Sequence, residues 1–154
     1  MRVDDRLIHG QVIAIWCRHQ RFTRVVVVDD TAASDRFMRD VLTLAAPPGL
    51  AVEVLSLEQG LRELRMPRPD RSTTMVLVRS PLVAQQLYAG GVTYSKLNIG
   101  GLGMAPGRRP VFKNIALSDD EFGILQSLQA RGVEITLLTV PGEKAKDFAD
   151  LVRK

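Results

Sequence analysis

A histidine near the start of the chain stands among residues that suit phosphoryl chemistry. The segment reads Asp4-Asp5-Arg6-Leu7-Ile8-His9-Gly10. A neutral imidazole is a nucleophile, and an arginine presents a fork of N–H donors that matches phosphoryl oxygens. A carboxylate can accept the second ring N–H of a histidine and so fix its tautomer. The types and spacing of these residues therefore predict phosphoryl transfer through His9, assisted by Arg6 and by Asp4 or Asp5.

The elements around this segment place His9 where a loop ends and a helix begins. Apolar residues at helical spacing predict a helix over residues 10–18, with Gly10 at its start. The free N–H groups and the dipole of a first helical turn favour an anion over a cation, so we expect a neutral imidazole there and a stabilised phosphorylated product. Asp4 or Asp5 also has a simpler interpretation, as a residue that caps the turn.

Strands and helices alternate along the remaining sequence, which predicts an α/β fold. We expect a single domain over residues 1–154, built on an open twisted, mostly parallel sheet with helices on both faces. The valine run at residues 24–30 suits a strand that is covered on both faces. Ligands in such sheets bind at the carboxyl edge of the strands.

Three segments should meet at that edge, because they follow the first, fourth and fifth predicted strands. They are the His9 loop, Arg79-Ser80 and the glycine-rich loop that begins at Gly100-Gly101. Arg79 is interpreted either as a second phosphate ligand or as an ordinary exposed arginine. The glycines either let backbone N–H groups approach a phosphoryl group or simply permit turns. Ser80, Gly100 and Gly101 therefore join the residues that could bind or support phosphate.

Local signals also predict several boundaries along the chain. Only Met1–Val3 is available for a first strand, so that strand should be very short or absent. Ser34 has the residue type of an N-cap for the second helix, and Ser56 has that of a cap for a short helix over residues 57–65. The run Ser118-Asp119-Asp120-Glu121 reads as a capping box that opens a further helix. Residues 67–72 read as a polar connection, residues 111–117 as one strand, and residues 143–153 as a terminal helix.

Metal and cofactor sites find no support in the sequence. His19 follows His9 by ten residues, which is about 15 Å along a continuous helix, so the two histidines cannot share a metal. Cys17 is the only cysteine, and no further ligand completes a tetrahedral set. The glycine spacing at residues 101–107 departs from the dinucleotide-binding pattern. We therefore expect neither a metal site nor a dinucleotide-binding fingerprint.

The charge and hydropathy of the sequence limit which classes of partner and which cellular compartment we expect. The net charge of +4 comes from scattered arginines without a basic cluster, which argues against a nucleic acid partner. The longest aliphatic runs fall far short of the ~20 residues that cross a bilayer, and we expect no signal peptide before Met1. A single cysteine excludes an internal disulfide. We therefore expect a cytoplasmic protein.

The sequence around His9 resembles the active-site segment of a known family. Residues 2–12 are similar to the segment found in IIB components of the mannose/fructose/sorbose family of the bacterial phosphoenolpyruvate-dependent sugar phosphotransferase system. Further similar stretches cover nearly the whole chain, at residues 25–29, 45–49, 90–92 and 97–101, and in the strand that ends before Ser80-Pro81. The resemblance implies the fold described above, without a metal or organic cofactor.

The resemblance also implies a specific reaction. His9 would accept a phosphoryl group on Nδ1 from the phosphohistidine of a IIA domain, with Arg6 holding the group. It would then pass the group to a sugar imported by membrane IIC and IID subunits, as a protein-Nπ-phosphohistidine–sugar phosphotransferase held at the inner face of the membrane through the permease. The sequence does not identify the sugar and leaves homodimer formation open.

Two other functions remain open from the sequence. The first is a regulatory phosphotransfer module that keeps the chemistry of His9 but serves no sugar permease. The second is a sugar- or nucleotide-binding α/β domain that is never phosphorylated.

Overall fold

Strands and helices alternate throughout the computed structural model, which describes residues 1–68 and 73–153. The strands are β1 (Arg2–Asp4), β2 (Arg24–Val28), β3 (Ala51–Leu55), β4 (Thr74–Val78), β5 (Lys96–Gly101), β6 (Arg109–Phe112), β7 (Ile115–Leu117), β8 (Glu134–Leu137) and β9 (Lys146–Asp147). The helices are α1 (Gly10–Gln20), α2 (Asp30–Ser34), α3 (Arg36–Leu44), α4 (Leu57–Arg65), α5 (Pro81–Ala89), α6 (Asp119–Ala130) and α7 (Ala149–Val152). Of the connection predicted at residues 67–72, residues 69–72 lie outside the described residues.

The main sheet has the order β3-β2-β4-β1-β5-β8-β9. Its neighbouring strands are parallel except for the β8–β9 pair, which is antiparallel. The first strand, β1, exists although it has only three residues. It is stable at that length because it is buried and pairs on both sides, with β4 and with β5. The prediction of an open, mostly parallel α/β sheet is confirmed.

Helices cover both faces of this sheet, as the valine run of β2 indicates. Val25 and Val27 pack with Ile13 and Trp16 of α1 on one face. Val26 and Val28 pack on the other face, in the core that contains residues of α5 and α6. Each buried valine side chain contributes roughly 1.5–3 kcal/mol relative to exposure, so this strand anchors two cores at once.

Helix caps in the sequence were identified correctly at two of three positions. Ser56 starts α4 and Ser118 starts α6, each within a capping box. The prediction of Ser34 as an N-cap is wrong. Asp35 caps α3 instead, by accepting the N–H of Met38 at 3.1 Å. Ser34 closes the short helix α2, and the extended backbone of Asp35 separates the two helices.

Two longer elements predicted from hydropathy are also wrong. Residues 111–117 belong to a hairpin of β6 and β7, which turns at Lys113 with a φ of 45°. The region 143–153 contains β9 and only one turn of helix, α7. The free backbone groups at the edge of β8 accept β9 as an antiparallel neighbour, which a pattern of apolar residues does not reveal.

Among the described residues, every helix is too short or too polar to span a bilayer.

Candidate functional site

The three loops predicted to share one edge are joined there by hydrogen bonds. Because β1 lies between β4 and β5, the loops that follow these strands are immediate neighbours. The Asp5 N–H donates to the Gly101 carbonyl at 2.8 Å. Arg79 Nη1 donates to the Asp5 carbonyl at 2.9 Å. The segment leading to His9 is therefore fixed on one side by the end of β5 and on the other by the loop after β4.

His9 is the N-cap residue of α1 and is exposed. Its backbone is extended (φ −123°, ψ 93°), and its side chain makes no capping hydrogen bond within the described part of the chain. Gly10 follows with a φ of +33°, which a residue with a Cβ adopts rarely. Leu7 and Ile8 are buried in the core below α1 and hold the loop from within. The result is an imidazole presented to solvent on an anchored loop.

Asp4 lies beneath this loop and binds two arginines. Its Oδ1 accepts the backbone N–H and the Nε–H of Arg6, at 3.2 and 3.1 Å. Its Oδ2 accepts hydrogen bonds from Arg6 Nη2 at 3.3 Å and from Arg2 Nη2 at 3.1 Å. The sequence offers two interpretations of Asp4, as the acceptor that fixes the tautomer of His9 or as a residue that caps the turn. The structure places its carboxylate on the backbone N–H of Arg6 and on the side chains of two arginines. Asp4 thus orients Arg6 instead of touching the imidazole.

Arg2 is a buried member of the site that sequence reasoning missed. Its guanidinium stacks on Trp16 at 4.8 Å and donates to the carbonyl oxygens of Leu138 and Thr139, at 3.3 and 3.1 Å. Burial lowers the pKa of Arg2 to about 10, against the opposing effect of Asp4, so it stays charged at neutral pH. A residue type that is usually exposed carries no sequence signal for this position.

Gly100 and Gly101 provide the space for this buried pair. A Cβ at Gly100 would overlap the guanidinium of Arg2. A Cβ at Gly101 would lie 2.8 Å from Asp4 Oδ1. Close packing against Arg2 and Asp4 is therefore a role of these glycines that sequence reasoning did not consider.

Arg79 and Ser80 have separate structural roles. Arg79 donates from Nε to Asp29 Oδ2 at 2.9 Å while its side chain stays 45% exposed. Ser80 is the N-cap of α5 and accepts the N–H of Val83 at 3.4 Å. Arg79 thus remains accessible at the edge that carries His9, whereas Ser80 fixes the start of a helix.

A second arginine that sequence reasoning missed, Arg108, joins the glycine-rich loop to Asp5. The Gly103 N–H donates to Asp5 Oδ2 at 2.9 Å, and Arg108 Nη1 lies 3.6 Å from the same oxygen. Arg108 also donates to Glu121 Oε1 from Nη2 at 2.6 Å. This hydrogen bond is the main cause of the raised pKa of Arg108. Asp5, like Asp4, therefore binds partners other than His9.

A cavity of about 190 Å³ opens beside Arg6 at this edge, and Asp5, Gly101, Gly103 and Thr139 also line it. Within the described residues, no three His, Cys, Asp or Glu side chains are grouped as metal ligands.

Comparison of the sequence with known proteins identifies the family of this chain. The family described as PTS (phosphotransferase system) sorbose subfamily IIB component matches residues 1–154. The chain belongs to this family. The IIB component described here is 31% identical over 153 residues to the mannose-specific EIIAB component of Escherichia coli K12, which covers 99% of the chain and 47% of that protein. It is equally identical, over 153 residues, to the sorbose-specific EIIB component of Klebsiella pneumoniae, covering 99% of the chain and 93% of that relative.

Solved structures agree with this assignment of the IIB component. The crystal structure of manxB from Thermoanaerobacter tengcongensis superposes with a TM-score of 0.92 at 32% identity, over 99% of this chain and 93% of that one. The chain spans about half the length of the mannose relative and nearly all of the sorbose relative. The predicted family is confirmed, and a IIB component is a part of the phosphotransferase system.

Proposed function

We propose that His9 accepts a phosphoryl group from the phosphohistidine of a IIA domain and passes it to a sugar imported by membrane IIC and IID subunits. The observation that carries this proposal is the exposed imidazole of His9 at the N-cap of α1, on a loop anchored at the centre of the sheet edge. The IIB component would be held at the inner face of the membrane by its permease subunits.

The chemistry needs a free ring nitrogen on His9. By resemblance to the family this is Nδ1, whose lone pair attacks phosphorus in line while the N–P bond of the donor breaks. One N–P bond replaces another, and the donor histidine leaves with its electron pair. The first N–H groups of α1 and the dipole of the helix stabilise the charge of the new phosphohistidine.

Arg6 has the geometry to hold the transferring group. Asp4 binds it through Nε and Nη2, which leaves Nη1 without a protein partner among the residues the structure describes. An arginine that is already oriented loses little entropy when it binds a phosphoryl oxygen. Arg79, half-exposed and fixed by Asp29, is a second cation at the same edge.

Phosphorylation of matched histidine variants tests the proposal. The wild type, His9→Ala and His19→Ala are incubated with phosphoenolpyruvate, the upstream carrier proteins and a IIA domain. Intact mass is then measured at neutral or alkaline pH, where phosphohistidine survives. We expect one phosphoryl group on the wild type and on His19→Ala, because His19 is an exposed histidine at the far end of the same helix. His9→Ala should acquire none, and a labelled His9→Ala protein would contradict the mechanism.

Transfer to a sugar tests the second half of the proposal. Phosphorylated protein is mixed with membrane vesicles that contain IIC and IID subunits and with a panel of hexoses. We expect phosphorylated sugar to form as the protein loses its phosphoryl group. Phosphorylation of His9 without transfer to any sugar would instead support the regulatory phosphotransfer module.

A further inference from the structure

We propose that Met104 is a binding contact for the protein that donates the phosphoryl group to His9. Met104 lies in the loop over residues 103–108, directly before the turn that Ala105 and Arg108 close, and the residue is 66% exposed. The inference rests on the proposed function, because it concerns the partner of the same site.

The loop that carries Met104 is held in one conformation by polar contacts at its base. The Gly103 N–H binds Asp5, and the Gly103 carbonyl accepts a hydrogen bond from Arg108 Nη1 at 2.9 Å. The Arg108 N–H closes the turn by donating to the Ala105 carbonyl at 3.0 Å. Arg108 is in turn fixed by Glu121 at the start of α6. Met104 is thus presented on an ordered support, so less entropy is lost when a partner covers it.

The position of this loop places Met104 within reach of any protein that contacts His9. A standard interface buries ~800 Å² on each partner, which corresponds to a disc of about 16 Å radius. Neighbouring strands are ~4.8 Å apart. The loop follows β5, the direct neighbour of β1, and is bonded to Asp5 of the His9 segment. A donor interface of this size that is centred on His9 therefore extends over this loop.

The residues of this loop indicate which kind of donor surface binds there. Met104, Ala105 and Pro106 are consecutive, exposed and uncharged. Exposed methionine adapts to irregular apolar surfaces and is enriched at protein interfaces. The donor should carry an apolar patch beside its phosphohistidine, and Met104 should contribute to binding but not to the chemical step.

A matched methionine provides the control for this assignment. Met66 is 69% exposed, and it lines a cavity with Arg24 and Thr74, the first residues of β2 and β4. It therefore lies at the opposite, amino edge of the sheet, far from His9. Met66→Ala therefore removes a similarly exposed methionine side chain from a position that a donor bound at His9 does not contact.

The experiment measures phosphoryl transfer against the concentration of the donor. The donors are phosphorylated IIA portions of family proteins, including that of the Escherichia coli mannose EIIAB component, and the one that reacts fastest with the wild type is used. Met104→Ala should raise KM for the donor about fivefold, the factor for ~1 kcal/mol of lost binding, with kcat unchanged. Met104→Leu should restore KM, and Met66→Ala should match the wild type.

A small phosphoryl donor separates failure of this inference from failure of the proposed function. Phosphoramidate should phosphorylate His9 at equal rates in the wild type and in Met104→Ala, because it needs no protein interface. An unchanged KM in Met104→Ala, or an equal rise in Met66→Ala, would overturn the role of Met104 alone. A wild type that accepts the phosphoryl group from no IIA portion would overturn the proposed donor, and the role of Met104 with it.

Discussion

Asp4 holds Arg6 through both the side chain and the backbone of the arginine. Asp4 Oδ1 lies 3.1 Å from Arg6 Nε and 3.2 Å from the backbone N of Arg6. The carboxylate is 1% exposed, whereas the arginine side chain is 42% exposed. A buried anion thus fixes the base of an accessible cation. Because one partner is buried and the other is not, substitutions of the two residues should affect different properties of the protein.

Arg6→Gln should slow phosphoryl transfer to His9 by about 100-fold, since it removes a positioned donor to the transferring group. The free energy of unfolding should change by less than ~1 kcal/mol, because the ion pair that is lost is half exposed. Rapid-quench kinetics with a phosphorylated IIA donor measures the rate. Arg62→Gln, which removes an arginine paired with Glu58 on the surface of α4, is the control and should leave the rate unchanged. An equal rate in Arg6→Gln would exclude Arg6 from the transfer step.

Asp4→Asn should instead destabilise the fold. Arg2 is 2% exposed and loses its only ionic partner among the described residues, so an uncompensated charge remains buried. Breaking such a pair costs ~3–5 kcal/mol. Urea denaturation monitored at Trp16 gives the free energy of unfolding. The comparison is Glu58→Gln, which breaks an exposed pair on α4 and should cost less than ~0.5 kcal/mol. If Asp4→Asn lowers the free energy of unfolding as little as Glu58→Gln does, the Arg2–Asp4 pair is not important for stability.

Two glycine substitutions should change stability in opposite directions. Gly100→Ala places a methyl group on the buried guanidinium of Arg2, so we expect a loss of ~1–3 kcal/mol or more. Gly123→Ala adds the same group in the middle of α6, where, apart from its chain neighbours and the backbone of the helix itself, no atom of the described residues lies within 4 Å of the new Cβ. Alanine is favoured over glycine in a helix, so Gly123→Ala should gain ~0.5–1 kcal/mol. Thermal unfolding of both variants checks the sign. A stable Gly100→Ala protein would show that Arg2 can move aside.

The features that sequence reasoning predicted correctly depend on local signals. The valine run of β2 indicates burial on both faces, and the capping boxes at Ser56 and Ser118 mark two helix starts through residues only three positions apart. His9 was predicted at the start of α1 for the same reason, because a glycine and an apolar helical pattern follow it directly. Such signals are readable because the groups that interact are neighbours in the chain.

The features that were missed depend on contacts between distant segments. Arg2 binds the carbonyl oxygen of Leu138, 136 residues away, and Arg108 binds Glu121 on another element. The hairpin of β6 and β7 and the pairing of β9 with β8 are likewise decided by available edges and not by local hydropathy. No pattern along the chain states which arginine will be buried or which strand edge will be free.

The ion pair between Arg24 and Glu53 should make stability depend on pH in a defined direction. Arg24 donates from Nε and Nη2 to the two carboxylate oxygens of Glu53, at 3.0 and 2.6 Å. The hydrogen bond from Arg24 lowers the pKa of Glu53 below its ordinary value of 4.5. The folded protein therefore keeps this carboxylate charged at a pH where the unfolded chain already binds a proton. The stabilising contribution is complete well above pH 4.5 and is lost as the pH falls through that value towards the lower folded pKa.

Glu53→Gln should remove this part of the pH dependence. The wild type should be more stable than the variant near neutral pH, and the difference should shrink between about pH 5.5 and pH 3. Urea denaturation across that range measures the free energy of unfolding of both proteins. Glu58→Gln, at the 82% exposed partner of Arg62, is the control and should follow the wild-type curve closely. A constant offset between the wild type and Glu53→Gln at every pH would mean that the substitution acts through packing and not through the charge of Glu53.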